Sequence, residues 1–196
     1  MPVDRTSPET RDRLLNMGMD AFLRLGHHGA GLKAILDQAC VPKGSFYNYF
    51  ESKEDFASAA IHHYADCISA LLERALDAHD SPIAGLRAFF QGQAESFEQS
   101  GFSGGCLIAN LGGELDDSNT CRKALQETSS AYLDALSAVV AAAQAVGEIR
   151  SDVAAAELAS LLSDAWEGAV IRMKIEQSMA PLDGVLSRIL DGFFQP

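Results

Sequence analysis

Two residue types in this chain could do covalent or metal chemistry, its thiols and its imidazoles, and neither falls into a catalytic spacing. Four cysteines stand at Cys40, Cys67, Cys106 and Cys121. No Cys-x-x-Cys pair occurs, which sets aside zinc-ribbon and thioredoxin-like chemistry. In a reducing compartment the default for each is a small buried thiol. The five histidines are His27, His28, His62, His63 and His79. His62 with Asp66, and His63 with Cys67, are i, i+4 pairs that a helix brings to one face. Two ligands on one helix arise easily by chance, and nothing elsewhere completes a metal site. No HExxH, GxSxG, P-loop or GxGxxG is present. No metal, cofactor or catalytic residue is expected.

A third chemistry, recognition, is concentrated in VPKGSFYNYFESKEDF, residues 41–56. Phe46, Tyr47, Tyr49 and Phe50 fall within five positions, beside Pro42 and Gly44 and between Lys43 and Lys53. Helical spacing sorts them. Phe46, Tyr49 and Phe50 lie at i, i+3 and i+4 and share one face, which would wedge a short helix into a small core. Tyr47 points elsewhere, together with Lys43, Ser45 and Asn48, all types that contact phosphates and base edges.

The elements that must position these residues read as helices throughout. Residues 9–26 carry Leu14, Gly18, Ala21, Phe22 and Leu25 on one stripe and end in LGHHGAG. A short second helix is expected over 32–39 and a third over roughly 42–49, after a break at Cys40-Val41, with Pro42 in its first turn. Ser52 is a plausible N-cap, with Asp55 three residues on forming an approximate capping box for a helix running to about Asp77. Further helices are expected over 83–99, 106–111, 119–146, from Asp152 (as N-cap) to about Ser178, and from Pro181 to about Phe194. SGFSGG (100–105) forms a joint between two of them. Leu158, Leu161, Leu162, Ala165 and Ala169 fall on one face, and Leu182, Val185, Leu186, Ile189, Leu190 and Phe193 on another. One domain could bury both stripes, or they could meet a second copy in a four-helix dimer interface.

The fold class is therefore all-α, with about nine helices. Three short ones in front form a helix, a turn and a second helix, the pattern that lays its second helix in the DNA major groove. The longer stretch AILDQACVPKGSFYNYFESKEDF (34–56) resembles the DNA-binding signature of the TetR/AcrR family of repressors. Ala39, Val41, Gly44, Phe46, Tyr47, Tyr49, Phe50, Ser52, Lys53 and Glu54 match that signature. Gly31, where a Thr usually caps the second helix, Cys40 in place of the turn Gly, and Pro42 in place of Ser depart from it. GFSGGCLIANLGGEL (101–115) and WEGAVIRMKIE (166–176) are similar to the acrylate-utilisation, AcuR-type branch of that family.

The resemblance implies a helix-turn-helix domain over 1–50 and a helical effector-binding and dimerisation domain over 51–196. Its DNA-binding set would be Lys33, Pro42, Lys43, Gly44, Ser45, Tyr47, Asn48 and Lys53. Tyr47 and Lys53 would hold phosphate, and Gly44 would let the backbone approach. The implied partners are double-stranded operator DNA, a small-molecule effector and a second copy of the chain, with no membrane. The effector-sensing set read from the residues themselves is Cys106, with Asn110 and Trp166 as pocket candidates whose competing readings are a solvated helix face and simple core. Cys106 follows the Gly-rich joint and starts a short helix, where dipole and free N–H groups favour a thiolate that could add to an electrophile or be oxidised. A buried, inert thiol is the competing reading. Repressor or activator, and covalent or non-covalent effector, stay open at this point.

Charge and composition are compatible with this. The net charge is −12, yet residues 1–56 hold seven Lys/Arg against eight Asp/Glu, and the remainder holds eight against nineteen. The acid thus sits away from the reading segment, and net charge bears on steering rather than fold. Hydrophobic residues make up 47 %, enough for a core. No apolar run approaches a membrane span and the N-terminus shows no signal-peptide segment, so the expected location is cytoplasmic. A helical dimeric scaffold and a cysteine-dependent enzyme are the alternatives. The first leaves Lys43, Tyr47 and Lys53 without a purpose, and the second has no supporting motif.

Overall fold

The computed structural model describes residues 7–115 and 118–196. The opening six residues, on which part of the expected segment 1–50 and of the N-terminal reading falls, lie outside the described residues. Among the described residues there are nine α-helices and no strand: α1 (Pro8–Gly29), α2 (Leu32–Gln38), α3 (Lys43–Phe46), α4 (Lys53–Asp77), α5 (Pro82–Gln99), α6 (Leu107–Gly112), α7 (Asn119–Ala145), α8 (Ala155–Glu176) and α9 (Ala180–Val185). The last runs on into a π-helical stretch, Leu186–Phe193. Among the described residues no helix is long and apolar enough to cross a membrane.

The chain forms two compact units. The first runs to Asp66 and resumes over Cys106–Thr128. Its core gathers Leu14, Phe22, Ile35, Phe46, Phe56 and Leu107. Ser7 caps α1 by accepting from Thr10 N, and Pro8 opens the first turn. The expected stripe on α1 is buried at Leu14, Gly18 and Phe22. Gly18 is required there because the Phe56 ring occupies the place of a Cβ. Leu25 departs from the expectation and is 61 % exposed. The helix breaks at the next residue, Gly26, with φ +69°, and the buried face turns away with it.

Ser52 starts α4 as expected. It accepts from Asp55 N at 3.0 Å, while Asp55 Oδ2 accepts from Glu51 N at 2.9 Å. The return bond thus reaches one residue further back than in a capping box.

The second unit takes Cys67–Gly105 and Ser129–Pro196. Its core includes Phe90, Leu136, Leu162, Trp166, Met173 and Phe194. Helix α8 begins two residues later than expected, at Ala155, with Ala154 in the N-cap position and no side-chain cap. Asp152 is engaged elsewhere: Arg150 Nε and Nη2 donate to its two carboxylate oxygens at 2.7 and 2.6 Å. A bidentate charge-assisted pair outcompetes an N-cap bond. Leu161, on the expected α8 stripe, is exposed in the single chain.

The C-terminal stripe is correct as far as Leu190 and then slips by one. Phe193 is 43 % exposed and Phe194 is fully buried. The π-helical stretch is the reason. Phe194 N donates to Ile189 O, an i→i+5 bond of 2.8 Å, and each wide turn takes up an extra residue. Arg150 then stacks over the displaced Phe193 ring at 4.4 Å.

Candidate nucleic-acid interface

Three short segments of the first unit build the interface. Helix α2 ends in a tight turn in which Ala39 N donates to Ile35 O (2.9 Å) and Val41 N to Leu36 O (3.0 Å). Closing that turn needs a left-handed residue, and Cys40 supplies it with φ +54°. Its thiol side chain is exposed. Val41 is buried and anchors the far side of the turn. Pro42 then stands at the N-cap of α3 (φ −61°, ψ 144°), one position earlier than expected. Ser45 N and Phe46 N both donate to its carbonyl.

Helix α3 is a single turn over Lys43–Phe46, shorter than the expected 42–49, and a further turn carries the chain to Phe50. The aromatic division holds. Phe46, Phe50 and Phe56 are buried and packed ring on ring, with centroids 4.8 to 5.5 Å apart. Each such pair adds about 0.5–1.5 kcal/mol beyond its buried area. Tyr49 is half-buried beside Phe50. Tyr47 is 54 % exposed, edge-on to Phe46. Lys43, Gly44 and Asn48 are exposed and Ser45 half-buried, and the space over Gly44 is open. A rigid apolar wedge therefore presents polar side chains outward.

The remaining expected DNA contacts are placed differently. Lys33 lies on exposed α2 surface, paired with Asp37 at 3.0 Å. Lys53 is half-buried, and its Nζ donates to the His27 carbonyl at 2.5 Å. Burial lowers its pKa, with Glu54 and Glu114 acting in the opposite direction. Gly31 does occupy the N-cap of α2 and makes no side-chain cap, as a glycine must.

Sequence reasoning missed the Lys53–His27 bond and two further features. Arg11 of α1 lies over the Phe50 ring at 5.5 Å. His27 is only 6 % exposed, and neither ring nitrogen has a hydrogen-bond partner. Its pKa is lowered, first by burial and then by the charges of Lys53 and His28. The sole signal was the GHHG that ends α1.

Of the expected effector-sensing residues, Cys106 and Asn110 belong to the first unit and Trp166 to the second. Cys106 is half-buried at the N-cap position of α6. Asn110 Nδ2 donates to Leu23 O of α1 at 3.4 Å. Trp166 is buried against Phe90, ring centroids 4.7 Å apart. Cys121 is a core thiol that donates to Glu54 O, and burial pushes its pKa up. The histidine pairs make other bonds: His63 Nε2 meets Asn16 Oδ1 at 2.9 Å, and His62 faces Glu127 at 3.8 Å. Among the described residues no group of three or more His, Cys, Asp or Glu could hold a metal.

A short helix, a left-handed turn and a second short helix with an outward polar face define a helix-turn-helix DNA-binding protein. Residues 14–60 match the family model of bacterial regulatory proteins of the tetR family, and residues 82–189 match that of the tetracyclin repressor-like C-terminal domain. The chain belongs to the TetR family of bacterial transcriptional regulators, and it is a regulator rather than an enzyme.

It is similar to the transcriptional repressor DhaR of Mycobacterium sp. strain GP1, with 33 % identity over 92 % of this chain and 90 % of that protein. The transcriptional regulator AcuR of Cereibacter sphaeroides is 36 % identical over 86 % of this chain and 78 % of its own. The crystal structure of Escherichia coli NemR in its reduced form matches with a TM-score of 0.84 at 32 % identity, over 92 % of this chain and 95 % of that one. Regulators of this family bind operator DNA and small-molecule effectors and act as dimers.

Proposed function

We propose that this chain is a cytoplasmic, homodimeric repressor that a small electrophile or oxidant releases from its operator. The observation that carries the reading is the outward polar face of α3 and the turn after it, Lys43, Ser45, Tyr47 and Asn48, braced by the buried Phe46–Phe50–Phe56 cluster. Such bracing fixes side chains at the groove without an ordering cost on binding. Residues up to about 50 read DNA and the rest senses and dimerises. Tyr47 and Lys43 take phosphate and base edges, Pro42 and Gly44 keep the backbone close, and Lys33 meets the flanking backbone. Lys53 spends one N–H on His27 O and keeps two for phosphate.

The dimer forms through α8, where Leu161, Ile171 and Ile175 leave an aliphatic face exposed at near-heptad spacing. Two heads would then meet half-sites one or more helical turns apart, about 34 Å per turn.

Cys106 is the sensor in this reading, supported by its place at the start of α6 and by the likeness to NemR, whose crystal structure is described as a reduced form. Its thiolate sulfur would add to the β-carbon of an activated alkene, forming a C–S bond, and the resulting carbanion would take a proton from water. A peroxide would instead transfer one oxygen to the sulfur, hydroxide leaving and a sulfenic acid forming. Asn110 would pass the shift of α6 to α1, and Trp166 would be an apolar wall for a ligand in the second unit.

Fluorescence anisotropy against DNA from upstream of the protein's own gene, with unrelated DNA as control, tests the reading. Selective, salt-sensitive binding is expected, lost in Lys43→Ala/Tyr47→Ala; in a Cys40→Ser background, which removes the exposed thiol of the reading head, N-ethylmaleimide should weaken binding, and the added Cys106→Ser change should abolish that effect. Equal weak binding to both DNAs would favour the scaffold reading.

A further inference from the structure

The end of α1 is held by residues from two other elements. At Gly26 (φ +69°) the helix opens, which frees the amide of His28. Glu114, just beyond α6, fills the opening: its Oε2 accepts from His28 N at 3.1 Å, and its own carbonyl meets His28 Nε2 at 3.1 Å. The same carboxylate occupies the space where a side chain at position 26 would begin, so only glycine admits it. Asn110, one helical turn earlier on α6, bonds the Leu23 carbonyl. Lys53, the first residue of α4, holds the carbonyl of the neighbouring residue, His27. Helices α6 and α4 thus converge on two adjacent residues of α1, and His27 between them has a buried ring that bonds to neither.

We propose that Glu114 is a positioning residue that couples α6 to the DNA-reading helices through the open end of α1. The inference rests on the reading that this chain binds an operator. With the carboxylate seated in the helix break and bonded to His28, a shift of α6 pulls on the end of α1, and a shift of α1 pulls on α6. Coupling of this kind is reciprocal: if α6 influences DNA binding, DNA must influence α6 by the same factor. The reciprocity allows a test without any effector.

Hydrogen exchange of the α6 amides is measured on the full chain with and without the operator fragment recovered by anisotropy. In the wild type the operator is expected to slow α6 exchange by about fivefold or more. In Glu114→Ala, and in Glu114→Ala/His28→Ala, the α6 response should vanish while the reading helices remain protected by DNA. Glu114→Gln keeps an acceptor and should give an intermediate response, which also serves if the alanine variants fold poorly. Equal α6 protection in the wild type and all variants would overturn the proposal, as would a wild type that binds its operator with no change in α6. A wild type that binds no DNA would sink the regulator reading itself, and the coupling with it.

Discussion

The Lys53 ammonium donates to the His27 carbonyl across twenty-six positions of sequence, at 2.5 Å. This bond ties the first turn of α4 to the end of α1 and makes Lys53 a structural residue as well as a candidate phosphate contact. Lys53→Ala should therefore show two separable effects. Loss of the partner to a half-buried carbonyl should lower stability by about 1 kcal/mol. Loss of a phosphate contact should reduce the salt dependence of DNA binding by about one unit of slope. Lys43→Ala should show the second effect and not the first. Denaturant titration and anisotropy over a salt series check the pair, and a Lys53→Ala variant with an unchanged salt slope would confine Lys53 to the structural role.

His27 gives the fold a proton-linked instability. Burial, then Lys53 and His28, hold its pKa below the usual 6.5. Above that value the ring is neutral in both folded and unfolded chains, and stability is at its full level. As pH falls below 6.5 the unfolded chain takes up a proton that the folded chain resists. Stability should then decline by up to about 1.4 kcal/mol per pH unit, until the lowered folded-state pKa is reached. His27→Phe should remove this component and raise stability, because the buried ring nitrogens have no partners. Thermal melts of both proteins between pH 8 and 5 provide the check: parallel curves would rule His27 out as the source.

Cys40 is an L-residue at φ +54° in the turn between α2 and α3. The left-handed region costs such a residue about 1–2 kcal/mol, and glycine avoids that at an entropic cost of about 0.5–1 kcal/mol in the unfolded chain. Cys40→Gly should thus stabilise the protein by about 0.5–1 kcal/mol. A urea titration showing a lower midpoint would mean the thiol makes a contact worth more than the strain.

At Gly31 the N-cap of α2 is bare and the space around it open. Gly31→Thr should add a few tenths of a kcal/mol to stability by capping a free N–H of α2. A hydroxyl that also reaches phosphate should tighten DNA binding, with the salt slope unchanged, since a neutral donor displaces no counterion. Tighter binding with a steeper slope would contradict that account.

The reading head was legible because its signals are local. Phe46, Tyr49 and Phe50 share a face by spacing alone, and Ser52 with Asp55 marks the start of α4 within four residues. What escaped depends on partners remote in sequence or on competition. Glu114 and His28 meet across eighty-six positions. Asp152 was a sound N-cap by type, but Arg150 two residues away claimed it. Leu25 fitted the periodicity of α1 until Gly26 broke the helix, and Phe193 fitted a 3.6-residue wheel that the π-helical stretch no longer obeys. The residues proposed as sensors were the least legible, since a thiol's reactivity is set by its surroundings and not by its neighbours in sequence.

The aliphatic strip on α8 has a consequence for gene dosage. Ile175, 76 % exposed, heads a strip that is poorly suited to water in a lone chain. A dimer closed over it forms in proportion to the square of the free-chain concentration wherever the chain is scarce. Occupancy of a two-headed operator would then rise more steeply than the amount of protein made. A cell halving its expression would lose more than half of the bound regulator, so the strip would set a threshold below which the regulated genes open without any chemical signal.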